Sequence, residues 1–322
     1  MLFVARLMLM RVLLGVLTLV LVSLVVFAAT QALPGDPARA ILGRNATNVA
    51  EYRALRAQLK LNRPLYRQYS SWLGGVLHGN FGDSLADSGT KVTTLLHTRI
   101  VNSAILVSLA ALISVPLSVA VGALSAVWRD SKFDSIVNIG NLALAALPEF
   151  VIGILLVLLF ATQVFKWLPS VSYLNPQSSY GSQLKLFILP TATLALAVVP
   201  YISRMLRAST IEVLESDYVM MASMKGLSRA RIVWRHALPN AIGPTAQVIA
   251  INLAWLAGGI VTVEYLFGFP GIGAELIDAV ANRDMPVIQA LCMLIAALYV
   301  VFNLIADVVT ILVNPRLRTG ER

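Results

Sequence analysis

The sequence predicts an all-α integral membrane protein with six transmembrane helices, and three observations carry that prediction. Of its 322 residues, 58% are apolar and only 13% are charged, with a mean hydropathy of +0.78, against roughly 45 to 50% and about 25% in a soluble domain. A surface so poor in charge needs a solvent other than water. Six stretches reach the roughly 20 apolar residues that a helix rising about 1.5 Å per residue needs to cross about 30 Å of hydrocarbon. The Lys and Arg residues, finally, fall where the positive-inside rule puts them for an even number of spans.

The first span is expected from Val12 to Ala32, behind Arg6 and Arg11. Its basic start and its small residues Ala28, Ala29 and Ala32 also fit a cleaved signal peptide. The charge-free run from Val12 to Ala29 is 18 residues long, beyond the roughly 7 to 15 of a signal core, so a retained span is the expectation. The second is expected at about Val101 to Trp128 and the third at about Ile136 to Phe165. The fourth covers Phe187 to Ser203, with its helix continuing to about residue 206. The fifth and sixth cover Ala241 to Val263 and Val287 to Val313.

With both termini in the cytoplasm, 13 of the 25 Lys and Arg lie on cytoplasmic segments and three in the two short outer loops. The other nine lie in the segment Leu33 to Ile100, and loops beyond about 60 residues escape the rule. Topology thus accounts for the net charge of +9. No basic run interleaved with aromatics points to nucleic acid.

The long outer segment carries two helical patterns. One runs from Val49 to Leu61 and stops at Asn62 and Pro64; the other runs from Leu65 to Leu77 and presents Tyr66, Tyr69, Trp72, Leu73 and Val76. These aromatics fit an interfacial hairpin, a small cap over the spans, or a surface that receives substrate or a partner.

Chemistry-bearing motifs are scarce. The single cysteine, Cys292, and the histidines His78, His97 and His236 form no metal-ligand cluster. No phosphate loop, nucleophile elbow or His-Glu-x-x-His helix is present. No catalytic residue, cofactor or metal is therefore expected on this chain, and any nucleotide must be bound by another subunit. Ionisable residues within spans are costly and so mark function or structure. Glu149 sits midway along the third span between Pro148 and Phe150, a candidate pathway or gate group. Asp307 in the sixth is read as structural, bonded to a neighbouring span or to Asn303, with no intramembrane Lys or Arg expected as its partner.

Between the fourth and fifth spans, Arg204 to Asn240 reads as two short helices joined at Gly226. The first is capped near Ser216 or Asp217 and presents Tyr218, Met221 and Ala222, with Met224 and Lys225 in its last turn. Ser228 starts the second, which is expected to stop at Pro239. Methionines and small residues on an exposed helix suit a surface against which another protein repacks. A basic helix lying on anionic lipid is the alternative.

Here the chain resembles the membrane subunits of ATP-binding-cassette (ABC) importers, whose cytoplasmic loop carries Glu-Ala-Ala, three residues, Gly, nine residues, then Ile-x-Leu-Pro. Gly226 and Leu238-Pro239 fall in register. Met220-Met221-Ala222 keeps only the last alanine of the first part, and His236 replaces the Ile. The resemblance extends along nearly the whole chain, to the dipeptide/oligopeptide/nickel permeases of the DppB/OppB type. It rests on Leu33-Pro34-Gly35-Asp36-Pro37, Asn62-Arg63-Pro64-Leu65, Phe81-Gly82-Asp83-Ser84, Pro148-x-Phe150 and Arg235 to Asn240. Val263-Glu264 to Gly268, Pro270 to Gly273 and Asn314-Pro315-Arg316 complete it.

That resemblance implies a type I ABC importer permease fold. It divides the chain into a first span within residues 1–32, an extracytoplasmic segment 33–94, a permease core 95–313 with a coupling loop 207–240, and a cytoplasmic tail 314–322. It further implies a second homologous permease subunit, two ATPase subunits or domains that hold ATP and Mg, an extracytoplasmic substrate-binding protein, a short-peptide substrate and a multi-pass place in the cytoplasmic membrane. Asp217, Tyr218, Met221, Ala222, Lys225, Gly226 and Leu227 become the candidate contacts with the ATPase. Pro148, Glu149, Phe150 and Glu264 become candidates for the pathway or its gate. Nickel, glutathione or another small solute would fit the same fold. A proton-coupled carrier or a membrane anchor would leave the pattern around Gly226 unexplained.

Overall fold

In the computed structural model, the described residues are 2–32, 38, 42, 48–58, 62–87 and 89–313. Among them there is no strand, only one isolated antiparallel bridge between Asp83 and Lys91. The motif segments Leu33 to Pro37 and Asn314 to Arg316, the expected helix end at residues 59–61 and the tail 314–322 lie outside the described residues.

Twelve helices can be placed among the described residues. They are α1 Leu2–Ala32, α2 Val49–Gln58, α3 Leu65–Leu77, α4 Val92–Val127, α5 Lys132–Ala146, α6 Glu149–Val157, α7 Leu184–Leu214, α8 Asp217–Met224, α9 Arg229–Ile232, α10 Leu238–Phe267, α11 Ile272–Asn282 and α12 Met285–Val313. Four helical stretches, within α1, α4, α7 and α12, are long and apolar enough to cross a membrane, and six if each of two bent pairs counts as one span. They group into two compact units, one of residues 1–13, 104–269 and 298–322 and one of residues 14–103 and 270–297.

The first unit is built round α7. Leu194, Val198, Ile202 and Leu206 recur every four residues along one face of it and are all fully buried. The first three form a core with Leu106 and Ala110 of α4 and with Leu256, Ile260, Val263 and Phe267 of α10, and Leu206 packs with Ala123, Leu238 and Ala241. Three helices meet at Ser203: its hydroxyl accepts a bond from Asn141 of α5 at 3.1 Å, and α4 comes so close at Gly122 that a Cβ there would lie 2.6 Å from the Ser203 carbonyl oxygen.

The helix expected over residues 136–165 is not one helix. It is broken at Leu147 and Pro148, and α5 and the stretch Glu149–Thr162 meet at 109°. Pro148 supplies no N–H and forces the residue before it out of the helical region; Leu147 is accordingly extended, at φ −93 and ψ 133. The second half ends in a π-turn, Leu158–Thr162, beyond which the Phe165 and Trp167 rings pack tilted by 33°, with centroids 4.5 Å apart. The fourth helix runs to Leu214, eight residues past the expected end near residue 206, and Arg207 finds a carboxylate in the bundle. Nor does Pro239 stop a helix. It sits in the first turn of α10, where the missing N–H has no intrahelical acceptor to lose. Asp307 is not without a basic partner either: Arg11 of α1 lies 3.3 Å from it, while Asn303 donates to the Tyr299 carbonyl.

In the second unit, Tyr69 and Trp72 of α3 pack on Phe27 of α1, with ring centroids 5.4 and 5.9 Å away. The Tyr69 hydroxyl meets Ser23 at 2.8 Å. These aromatics therefore cover a helix, whereas Tyr66 and Leu77 stay exposed. Val92 and Leu96 pack with Ile272, Ala279, Val287 and Leu291 into a separate core, flanked by the Arg99–Glu275 ion pair at 2.6 Å. Burial holds the Glu275 carboxyl above its usual range, against the pull of Arg99.

One buried acid holds the end of the Phe81-Gly82-Asp83-Ser84 motif and the turn after it. Asp284, 2% exposed, accepts bonds from the Ser84 hydroxyl, from the Leu85 and Ala86 amides at 3.1 and 3.2 Å and from Val287 N at 3.4 Å at the start of α12. Asp284→Ala is expected to cost about 1–3 kcal/mol for the donors left without an acceptor, read as faster proteolysis between residues 78 and 91. Gly122→Ala is expected to cost about 1–3 kcal/mol by overpacking in a thermal melt of the detergent-solubilised protein. Gly140→Ala, with nothing within 4 Å of the added Cβ, should not lower the melt.

Candidate functional site: the loop between α7 and α10

The loop grows from residues whose conformations are set locally. α7 closes with Glu215 at its C-terminal end. Ser216 then takes extended angles, φ −75 and ψ 152, and α8 begins at Asp217. The Ser216 hydroxyl donates back to the Val213 carbonyl at 2.5 Å instead of accepting from α8. Lys225 ends α8, and Gly226 turns the chain with φ +77, the left-handed conformation that glycine adopts at no steric cost.

α9 follows with Ser228 O accepting from Ile232 N at 3.0 Å, and a π-turn, Val233–Ala237, leads directly into α10. The π-turn buries Val233 and Ala237 and leaves Trp234 at 66% exposure.

On α8 only Val219 is buried. Tyr218, Met221 and Met224, three residues apart, are 46, 56 and 74% exposed and form one apolar face, with Ala222 half-buried beside it. The Tyr218 hydroxyl accepts from Asn240 at 3.1 Å, which ties the start of α8 to the first turn of α10. Asp217, Lys225 and Gly226 are exposed and Leu227 is half-buried. The candidates 217–227 are thus brought together on one short exposed helix and its turn.

The residues named as pathway or gate candidates are not one cluster. Pro148 and Phe150 are exposed and Glu149 half-buried, at the break between α5 and α6. Glu264 is fully buried in the last turn of α10, and its carbonyl accepts from Phe269 N at 2.8 Å where the helix closes at left-handed Gly268. In this conformation its side chain faces no open route.

The sequence reading missed the mounting of the loop. Asp134, in the first turn of α5, is 3% exposed. Arg207, seven residues before the end of α7, reaches it with Nε at 2.7 Å and Nη2 at 2.6 Å. The same carboxylate accepts from the Ser125 hydroxyl of α4, from Asn138 at 2.9 Å and from Asp130 N at 3.1 Å. An exposed second pair, Arg129 with Glu215, lies beside it; the Glu215 hydrogen bond raises the Arg129 pKa. The available signal was Ser131-x-x-Asp134, a helix-start pattern borne out by Asp134 N donating to Ser131 Oγ at 3.2 Å.

The comparisons with known proteins match the chain to a family. The family described as "Binding-protein-dependent transport system inner membrane component" covers residues 118–319, and the corresponding N-terminal family covers residues 4–115. The chain belongs to this family. It is an ABC transporter permease subunit and a multi-pass membrane protein.

Among its relatives, a probable peptide ABC transporter permease protein of Sinorhizobium fredii, y4tP, is 38% identical over 92% of this chain and 94% of its own length. The oligopeptide transport system permease protein AppB of Bacillus subtilis is 31% identical over 95% of this chain and 97% of its own. The glutathione transport system permease protein GsiC of Escherichia coli is 34% identical over 94% and 95%. Membership of a binding-protein-dependent system also speaks against the proton-coupled carrier.

Gly226 provides a backbone test of the permease loop. A Cβ there meets nothing within 4 Å, so only the left-handed angle resists substitution. Gly226→Val is expected to destabilise the turn by about 1–2 kcal/mol, whereas Gly226→Asn, which tolerates that angle, should stay near wild type. Hydrogen exchange of the residue 217–228 amides checks the difference.

Proposed function

We propose that the chain is the transmembrane subunit of an ATP-driven importer of short peptides, crossing the cytoplasmic membrane six times with both termini inside. Residues 33–94 are then extracytoplasmic, residues 95–313 form the permease core, and 314–322 a cytoplasmic tail. A second homologous permease completes the route, an extracytoplasmic binding protein delivers the peptide, and two ATPase subunits or domains hold ATP and Mg and do the hydrolysis. This chain supplies binding surface and movement, not catalysis. Surrounding lipid covers the apolar faces that the partners do not.

The observation that carries the reading is the exposed Tyr218, Met221 and Met224 face, on a short helix closed by a left-handed glycine, in a chain of this transport family. An apolar helix face of this size fits a groove on the ATPase better than water. Asp217, Ala222, Lys225, Gly226 and Leu227 complete the proposed contact. At the other end of the mechanism, the break at Pro148, Glu149 and Phe150 is the proposed gate or pathway lining, and Glu264 would join it only if α10 moves. Asp307 is structural, through Arg11. The relatives named for oligopeptides and for glutathione, itself a small peptide, support the peptide class, with nickel the outlying alternative.

Met221→Glu and Met224→Glu are expected to leave the protein in the membrane, since both side chains are exposed. They should weaken copurification with the ATPase by about 10-fold or more, as for a central interface contact, and abolish uptake. Retained copurification in both would leave a helix lying on lipid as the better account. Stimulation of ATP hydrolysis in proteoliposomes by binding proteins loaded with peptide, glutathione or nickel decides the substrate. No response to peptide would overturn that part.

A further inference from the structure

We infer that Asp134 and Arg207 form a positioning pair that makes the loop's movement a movement of the bundle, a role resting on the proposed contact between α8 and the ATPase. The inference begins with burial. A carboxylate 3% exposed in a helical bundle is costly unless its lone pairs are all engaged. Here a bidentate guanidinium, a hydroxyl, a side-chain amide and a backbone N–H converge on it. The donors come from four places: α4 through Ser125, the 128–131 turn through Asp130 N, α5 through Asn138, and α7 through Arg207.

The turn itself is built for this. Asp130 takes φ +63, a left-handed conformation uncommon for a residue other than glycine, which aims its amide at the acid. The fork geometry of Arg207 fixes orientation as well as distance.

The two sides of α8 are therefore mounted differently. On its N-terminal side, α7 reaches the loop within seven residues of a five-donor brace, and about one turn further back Asn141 and Gly122 close on Ser203. On its C-terminal side the chain passes through Gly226 at φ +77 with open space around it, a four-residue helix and a π-turn before α10 begins. A push on α8 is passed on by the first path, while the second can take it up between Gly226 and Ala237, tied back to α8 by the hydrogen bond from Asn240 to the Tyr218 hydroxyl. Asp134 and Arg207 touch neither substrate nor nucleotide; they act by holding α4, α5 and α7 as one body.

The test uses the intact transporter, the chain with the subunits that copurify with it, in a Cys292→Ser background with Tyr265→Cys as reporter. Tyr265 is 58% exposed near the far end of α10, about 40 Å along the helix from Leu238. The readout is the change in maleimide labelling of that cysteine on adding ATP and orthovanadate, set against the ATP hydrolysed. For Asp134→Asn the expected result is unchanged copurification, continued hydrolysis, and a labelling change reduced at least ~5-fold, the lower end of a typical coupling.

A wild-type labelling change with the complex intact overturns the proposal. Lost copurification also overturns it, since the pair would then merely scaffold the docking surface. If Asp134→Asn does not accumulate, Arg207→Lys decides by the same two readouts, keeping the charge while losing the fork. Failure of the loop assignment is separable: Met221→Glu would then keep its ATPase subunits whatever Asp134 does.

Discussion

The bidentate contact of Arg207 with Asp134 is the interaction on which the first unit's arrangement depends. In a bundle of apolar helices, packing resists displacement but rests on many small, interchangeable contacts. A buried carboxylate with five donors is different, since losing any of them leaves a polar group unpaired in a low-dielectric interior. Satisfying Asp134 fixes the rotation of α7, brings Ser125 of α4 into place and sets the 128–131 turn. Once α7 is held, its buried Leu194, Val198, Ile202 and Leu206 row presents itself to α10, and the close approach at Gly122 and Ser203 follows. Asp284 works by the same chemistry in the second unit, where one carboxylate starts α12 and holds the Ser84 turn.

The parts of this fold that were legible in the sequence are those set by one-dimensional quantities. Apolar length located every helix of membrane-crossing length, because crossing hydrocarbon is a constraint on consecutive residues. Local backbone chemistry located α3 to the residue and α8 with its closing glycine, since caps and left-handed turns involve neighbours in sequence. Hydropathy averages, by contrast, pass smoothly over Pro148, and the 109° break there depends on the extended conformation imposed on Leu147. The extension of α7 to Leu214 was hidden for the opposite reason. Arg204 and Arg207 looked like the edge of a span, and only a partner 73 residues away in sequence shows that Arg207 belongs inside the bundle.

The same limit governed the candidate site. The residues of α8 were readable because a short capped helix with an exposed apolar face is written in neighbouring residues. The pair behind it was not, since Asp134 reads as an ordinary first-turn acid and Arg207 as one more charge on a basic loop. Asp307 shows the converse error. Counting charges inside spans left it without a basic partner, yet Arg11, assigned to the flank of the first span, lies within ion-pair distance. α1 begins at Leu2, well before the apolar run does, and carries Arg11 into reach.

Burial along the candidate spans adds a mechanical consequence. The window of α7 is 72% buried, whereas those of α1 and α12 are 11 and 6% buried, so α7 is a core strut and the other two are left to lipid or partner subunits. α7 is also the helix that runs into the loop proposed to meet the ATPase. Force applied at α8 would thus enter at the end of the most buried helix, not at a peripheral one. A peripheral helix could tilt in lipid without disturbing the rest. A core helix locked to its neighbours by close-packed glycine and by an ion pair cannot, because dense packing leaves it no independent displacement. The charge pair lies near the loop end of α7 and not at its middle, so on the proposed coupling the lock would meet the motion first.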